Sequence, residues 1–573
     1  MSNKKQISIM IILTLVLITV SGWVSGWVSA YSPDYYLQIQ KNIELFGRIY
    51  QEIAKNYVEE VDPNTFMRAG IKGMLSTLDP YTVLLEDADN AELQIMSSGK
   101  YGGLGMRIGL RGGWPTVVEP PFDGTPSLKA GIREGDRIIA VDSLSTKGLS
   151  ISRVASLLRG DIGSEVFLKI ERQGEEHPIE FRLIRAEIVV TDVAYSRIIK
   201  EGVGYIRLSH FSLNAGKDIE KAIRKLKKQG LQSLILDLRS NPGGLLETAV
   251  SVSENFLKKG KLIISTQGRF SGASKEYHAR KNPILEDSPL VILVNGYSAS
   301  ASEIVAGAIQ DHDRGVIIGD NTFGKGLVQT VVRITGKARL KITTAKYLVP
   351  SGRSIQDPKK FLKAPDEIIY HGDDEANASL DIGAPVEEKT YYTANGRKVF
   401  ASHGITPDIL IERESLTVYE QQLLRKTMPF QFAVIYATKH PKLKRGFDVT
   451  DDMLNEFEAF LKENNFEYVS EAERTLNELE EIAEKNQYYA SISAPYNELR
   501  RVILDQKNRE SEKGRDFIRE QLQQEISAKL WGSQAEVEAS IDSDPVVLRA
   551  LTLLSNESEY RALLSGEKDE KQK

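Results

Sequence analysis

The chain of 573 residues contains no cysteine. That absence excludes a thiolate nucleophile, a zinc site built on cysteine, a disulfide framework and a lipidated amino-terminal cysteine. It does not fix a compartment, because a chain without thiols suits oxidising and reducing surroundings alike. Histidine is scarce as well, with seven scattered along the chain and no H-E-x-x-H or similar metal spacing. The nearest approach to a cluster, His371 beside Asp373, Asp374 and Glu375, reads as solvated loop, and His210 and His312 read as structural. No metal and no nucleotide or other cofactor is expected. Charge of one sign is also missing: a formal net charge of −5 gives no electrostatic reason for nucleic acid as a partner. A hydrophobic fraction of 41% and a charged fraction of 27% are ordinary for soluble domains. The length allows about three or four of them.

The informative positive feature is the stretch VNGYSASASEIVAGAIQ, followed by NTFGKGLVQ. Pro289 to Val294 is a short apolar run of strand type, and Glu303 to Gln310 has helical spacing. Ser300 therefore stands at a strand-to-helix junction, where its hydroxyl projects into the crevice at the strand's carboxyl end. The amides that follow sit at a positive helix terminus suited to a developing oxyanion. Ser300 and Glu303 also form a capping-box pattern, and S-x-x-E alone is a helix cap far more often than a nucleophile. Three further features shift that balance. Lys325 is bracketed by Gly324 and Gly326. The run Leu327 to Ile334 reads as a strand, on which Lys325 and Gln329 would share a face. A second glycine loop, Asn241-Pro242-Gly243-Gly244, ends the strand Leu234 to Leu238 and opens a helix near Leu245. Two such loops in one open sheet lie side by side where ligands bind. The loop around Ser300 is not G-x-S-x-G, which argues against an α/β-hydrolase elbow.

LILDLRSNPGG, YSASASEI and TFGKGLVQ together resemble the signature segments of the carboxyl-terminal processing peptidases, or tail-specific proteases, of peptidase family S41. The resemblance covers roughly residues 40 to 412. It implies a multidomain α/β protein with a ClpP/crotonase-like β-β-α serine protease core and a serine–lysine dyad. Carried over, Ser300 is the nucleophile, Lys325 the general base and Gln329 the group that holds the lysine, while the amides of Gly243 and Ala301 form the oxyanion hole. The chemistry stands beside the resemblance. A lysine with a reference pKa near ~10.4 must be desolvated to act as a base at neutral pH. A neutral amide such as Gln329 orients it without adding the negative charge that would keep it protonated. The family commonly has His after the Asp79-Pro80 pair; here Tyr81 stands there and is expected to leave the catalytic residues untouched.

The rest of the chain divides around this core, expected over 187–412. Lys4 and Lys5 precede an apolar run and a small-residue end at Val28-Ser29-Ala30, so residues 1–30 read as a secretory signal or a membrane anchor. The expected location is exported, in the periplasm, either soluble or held to the inner membrane by that segment. Residues 31–90 read as a helical lead-in, with helices from Tyr36 to Val58 and from Asp62-Pro63 to Leu78-Tyr81. Residues 91–186, with Tyr101-Gly-Gly-Leu-Gly-Met106 and Ala130-Gly-Ile-Arg-Glu-Gly135-Asp136, resemble a PDZ domain. In that family the loop Gly103, Leu104, Gly105 and Met106 binds a terminal carboxylate while the peptide adds to a sheet edge. The polar stretch 357–388 reads as an insertion, and 413–573, poor in glycine and proline, as a helical accessory domain. The expected partners are peptides or proteins with free, apolar carboxyl termini, with a homo-oligomer open. The leading expectation is an exported serine endopeptidase that recognises such tails. The alternatives are a PDZ-bearing binding or chaperone protein whose protease core is inactive and, less favoured, a crotonase-like acyl-CoA enzyme.

Overall fold

Runs of apolar residues with nothing polar on either face must be covered on both sides, and this builds the core. Strands Val203–Leu208, Ser233–Asp237, Leu290–Val294, Val316–Gly319 and Ile409–Leu410 lie parallel in that order, with Val193–Lys200 antiparallel at one edge. The three central strands are buried at every position, as parallel strands between two layers are. Leu234, Leu236, Ile292 and Val294 pack with residues of helices Ala215–Lys228, Leu246–Ser253 and Ala301–Asp311. Ile235, Val291, Leu293 and Ile318 face the other way, against Val537, Ile541, Val547 and Leu553.

Those last four residues come from helices Ser533–Ile541 and Pro545–Ser555. The end of the carboxyl-terminal segment is thus the second layer of the parallel sheet. Tyr560 fastens it, its hydroxyl donating to the Leu290 carbonyl at 3.0 Å and accepting from the Leu290 amide at 2.9 Å. Helices from Val418–Arg425 to Arg515–Trp531 carry a separate aromatic-rich core around Phe432, Phe457 and Phe460.

A second sheet joins Val83–Leu85, Arg339–Leu348, Leu262–Gly268 and Lys275–His278, with Leu327–Arg333 also paired to Arg339–Leu348. The strand Val83–Leu85 lies where the sequence predicts only the end of a helix. Strands Ile108–Arg111, Trp114–Val117, Arg137–Val141, Glu165–Glu171 and Ile179–Ile184 form a sheet around Ile138, Val166 and Leu168, within the segment expected to be a PDZ domain. Lys100–Gly103 and Ala186–Val189 pair with each other at its base.

The computed structural model describes residues 33–85, 98–357 and 389–566, apart from 120, 123, 173–174, 176, 190, 337 and 412–415. The expected signal or anchor (1–30) and the polar insertion beyond 357, with His371, fall outside the described residues. No helix among the described residues is long and apolar enough to cross a membrane. The chain divides into two compact units between Leu78 and Asp79. In the first, helices Pro33–Asn56 and Pro63–Ser76 are joined at Asp62, whose carboxylate accepts from the Thr65 amide at 2.8 Å.

Candidate active site

Ser300 opens the helix Ala301–Asp311 with φ 55° and ψ −111°. A side chain in that region costs about 1–3 kcal/mol and persists only where its surroundings over-determine it. Glu303 supplies much of that restraint. Its carboxylate accepts from the Ser300 amide at 2.7 Å, from Thr322 Oγ1 at 2.6 Å, from the Gly324 amide at 2.7 Å and from the Lys325 amide at 3.0 Å. One fully buried anion therefore holds the loop of Ser300 and the loop of Lys325 together. Burial pushes Glu303 up to about 7, and the four donors favour its ionised form against that desolvation. The capping-box pattern therefore leaves the reading of Ser300 as a nucleophile open. Glu303 makes its half of the box, whereas the Ser300 hydroxyl faces the first-turn amide without making a capping hydrogen bond.

Lys325 is largely buried, and desolvation followed by the nearby Lys341 pushes its ammonium down to about 8, against the opposing pull of Glu303 and Asp79. Its Nζ lies 4.7 Å from the centroid of the Tyr81 ring, a contact that the substitution of Tyr81 for the family's usual His does not suggest. The Tyr347 hydroxyl donates to the Lys325 carbonyl and stands 3.3 Å from the Ser300 carbonyl. Tyr347, like Glu303, thus touches both loops. Neither bridging role is visible in a sequence pattern, although the glutamate of S-x-x-E is in plain view there as a cap.

Gln329 lies on the strand Leu327–Arg333, its Nε2 buried and without a hydrogen-bond partner among the described residues. Simple alternation does not relate it to Lys325, because the lysine precedes the strand and a register shift falls between Val328 and Gln329. Gly243, at φ 93°, packs so closely on the serine loop that a Cβ would stand 2.6 Å from the Ala299 oxygen and 2.8 Å from the Ala301 nitrogen. The two loops are therefore side by side, as expected, and only glycine fits there. The Gly243 amide itself donates to Asn241 Oδ1 at 2.9 Å. Asn241 in turn accepts at its carbonyl from the Ala299 amide at 3.1 Å and from Ser302 Oγ at 2.9 Å. Ala301 is fully buried at the first position of the helix. His312 caps the far end of that helix with Nε2 2.6 Å from the Leu262 carbonyl and takes no part in the site.

In the segment expected to be a PDZ domain, the Leu104 and Gly105 carbonyls accept from the amides of Ser127 at 3.0 Å and Phe122 at 2.9 Å. Because a trans peptide points its carbonyl and the following N–H in opposite directions, the Gly105 and Met106 amides are turned the other way. The side chains of Leu104 and Met106 are buried in the core of that segment. Gly103 lies in the paired ribbon, opposite Ala186. Gly105 has φ 78°, and a Cβ there would meet Thr125 at 2.3 Å.

Comparison with known proteins gives these features a family. Residues 202–363 match Peptidase family S41, residues 117–172 a PDZ domain, residues 30–89 the Activating protease CtpB N-terminal domain, and residues 419–554 the C-terminal helical domain of a probable PDZ-protease. The chain is 37% identical over 320 residues to a carboxy-terminal-processing protease of Bartonella bacilliformis, a match spanning 55% of this chain and 73% of that protein. It is 37% identical to a carboxyl-terminal-processing protease of Synechocystis, over 52% of this chain and 70% of that protein. To the carboxy-terminal processing protease CtpB of Bacillus subtilis it is 33% identical, over 57% and 69% respectively. The fold and these matches define a serine-type peptidase with a PDZ domain. The chain belongs to the carboxyl-terminal processing peptidases of family S41.

Proposed function

We propose that this peptidase works by a Ser300–Lys325 dyad, recognises the free carboxyl terminus of its substrate through the PDZ loop, and does so outside the cytoplasm. The observation that carries the reading is the Glu303 carboxylate, which binds the backbone of both dyad residues. Neutral Lys325 takes the proton from Ser300 Oγ as the oxygen attacks the scissile carbonyl. The peptide C–N bond then breaks, with that proton passing to the leaving amine, and water hydrolyses the acyl-serine through the same base. The Ala301 amide faces the oxyanion at the helix terminus. The Gly243 amide joins it on exchanging Asn241 Oδ1 for the charged oxygen, which is the stronger acceptor. Gln329 Nε2 is the buried amide donor that steadies the neutral amine of Lys325.

Tail recognition rests on the Gly105 and Met106 amides, which point away from the partners of the Leu104 and Gly105 carbonyls and suit a terminal carboxylate. The strand Ile108–Arg111 at the edge of the PDZ sheet suits an added peptide strand. Apolar terminal residues, export by residues 1–30 and membrane attachment through an uncleaved segment belong to the same reading. One experiment tests its centre: cleavage of a model protein with an apolar tail, free or amidated, followed by mass spectrometry of the fragments. Ser300→Ala and Lys325→Ala should each abolish cleavage while tail binding persists, and amidation should weaken binding to wild type. Turnover by either variant rules out the dyad, and equal use of free and amidated tails removes the PDZ loop from recognition. If both variants and wild type bind tails without cleaving them, the PDZ-bearing binding protein is the correct reading.

A further inference from the structure

The group that meets the Lys325 ammonium is an aromatic face. Tyr81 sits in a turn fixed by Asp79, whose carboxylate accepts from the amides of Tyr81 and Thr82 at 2.8 Å each and from Thr82 Oγ1 at 2.9 Å. Thr82 Oγ1 also accepts from the Thr343 amide at 3.2 Å. The next residues, Val83–Leu85, pair with Arg339–Leu348, the strand that also pairs with the lysine-bearing segment Leu327–Arg333. The turn that presents Tyr81 is thus bonded into the same sheet that positions Lys325. Among the described residues, the charged and titratable groups around this pair are Glu303 from the serine helix, Lys341 and Tyr347 from the shared strand, Asp79 from the turn itself and Asp357 beyond the lysine loop.

Resting on the dyad reading above, we infer that Tyr81 is a positioning residue for the base: its ring face receives the protonated head of Lys325 and holds it aside from Ser300 until the base is needed. A ring quadrupole attracts the ammonium and has no comparable hold on the neutral amine. It therefore favours the charged form, against the desolvation and the Lys341 charge that favour the neutral one. The ring takes the ammonium when the lysine carries the proton and releases it when the proton is lost. This gives Tyr81 a role tied to protonation, which a residue that merely filled space would not have.

The sign follows directly. Weakening the ring's pull lowers the pKa of Lys325, so the alkaline rise of activity moves to lower pH. The test replaces Tyr81 with phenylalanine and then with phenylalanine carrying one, two and three ring fluorines, which drain the quadrupole at nearly constant shape. Tyr81→Leu is the endpoint, and kcat/KM is read against pH on a tailed peptide. Tyr81→Phe should keep the wild-type limb, because it keeps the ring face. Fluorination should move the limb progressively toward acid, by about half to one pH unit in all. Tyr81→Leu should match the most fluorinated variant in position and fall in kcat with little change in KM. A limb that stays put across the fluorine series, moves toward alkali, or moves as far with Tyr81→Phe as with Tyr81→Leu overturns the inference. Lys325→Ala run alongside separates the two failures. An inactive Lys325→Ala with an unmoved fluorine series sinks only the role of Tyr81, whereas an active Lys325→Ala sinks the dyad and this role with it.

Discussion

The loops of the protease core and the helices of the carboxyl-terminal segment both contain residues at positive φ, and Ser300 stands apart from the rest. In the helical segment Asn465 and Gln487 are left-handed just after helices Asp451–Glu463 and Glu471–Lys485. The Phe466 amide returns to the Leu461 carbonyl at 2.9 Å, and the Tyr488 amide to the Ala483 carbonyl at 3.0 Å. This is the ordinary Schellman ending of a helix, in which the turned residue satisfies carbonyls that would otherwise be orphaned. At Ser300 the positive φ comes at the start of a helix, where a relaxed cap would be extended, as Thr417, Thr450 and Ser470 are. The core also ends a helix this way, at Asp313 after Ala301–Asp311, and Thr427 is left-handed between helices Val418–Arg425 and Met428–Lys439. Ser300 differs in opening a helix at φ 55° and ψ −111° with a buried carboxylate bound to its amide.

The sharpest way to break that comparison is to weaken the carboxylate. Glu303→Gln keeps the shape but turns one oxygen into a donor facing two donors. It should cost about 3 kcal/mol of transition-state stabilisation, roughly 100-fold in kcat/KM, with tail binding retained. Activity within a few fold of wild type would make Glu303 an ordinary cap. Its titration supplies a second reading. The folded-state pKa is raised, from 4.5 to about 7, so its contribution to stability is full below pH 4.5 and is lost as pH rises through 7. Urea unfolding should show wild type losing stability across that window where Glu303→Gln does not.

An intermediate effect is expected where the helical segment buries unlike charges against the PDZ domain. Lys529 Nζ meets Glu134 of the PDZ domain at 2.6 Å and Glu525 at 2.5 Å, with both members of the inter-domain pair about 5% exposed or less. The ammonium also lies 4.2 Å from the Phe430 ring centroid, and burial pushes Glu134 up to about 8. Lys529→Met strands a buried acid and should cost about 3 kcal/mol, seen as a lower Tm and as faster proteolysis near residues 98–103 and 186–191. The double variant Lys529→Met, Glu134→Met should recover most of it. Failure of the double variant to recover would mean that lost packing, rather than the stranded acid, causes the effect.

The same contrast explains what is legible in the sequence. The loops of Ser300, Gly243 and Lys325 can be read because strand-end glycines and a serine before a helical run leave local marks. The central strands can be read because two-sided burial leaves continuous apolar runs. Helical periodicity gives the carboxyl-terminal segment its class but not its place. Val537, Ile541 and Val547 look like any amphipathic face, and only the sheet shows that they cover Ile235 and Leu293. The strand Val83–Leu85 escapes such a reading because three residues carry no period. Tyr81, Glu303 and Tyr347 escape it as parts of one site because their partners lie far away in the chain, and no spacing rule connects 81 to 325 or 347 to 300.

The smallest effect is expected where the helical segment follows its own rule most closely. Ser470 caps Glu471–Lys485 in a complete capping box, its Oγ accepting from the Glu473 amide at 3.2 Å and its amide donating to Glu473 Oε2 at 2.8 Å. Glu473 also pairs with Lys507 at 2.8 Å, so half of the box survives loss of the hydroxyl. Ser470→Ala should therefore cost about 1 kcal/mol, a small drop in urea midpoint with an unchanged m-value, and leave kcat and KM as they are. The outcome bears on the comparison from the relaxed side. The Ser300 hydroxyl makes no such capping bond, so Ser300→Ala should lose activity without this loss of stability, and Ser470→Ala should lose stability without activity. If instead both serines cost the same stability, Ser300 is a cap like Ser470, and its strained backbone has to be explained without catalysis.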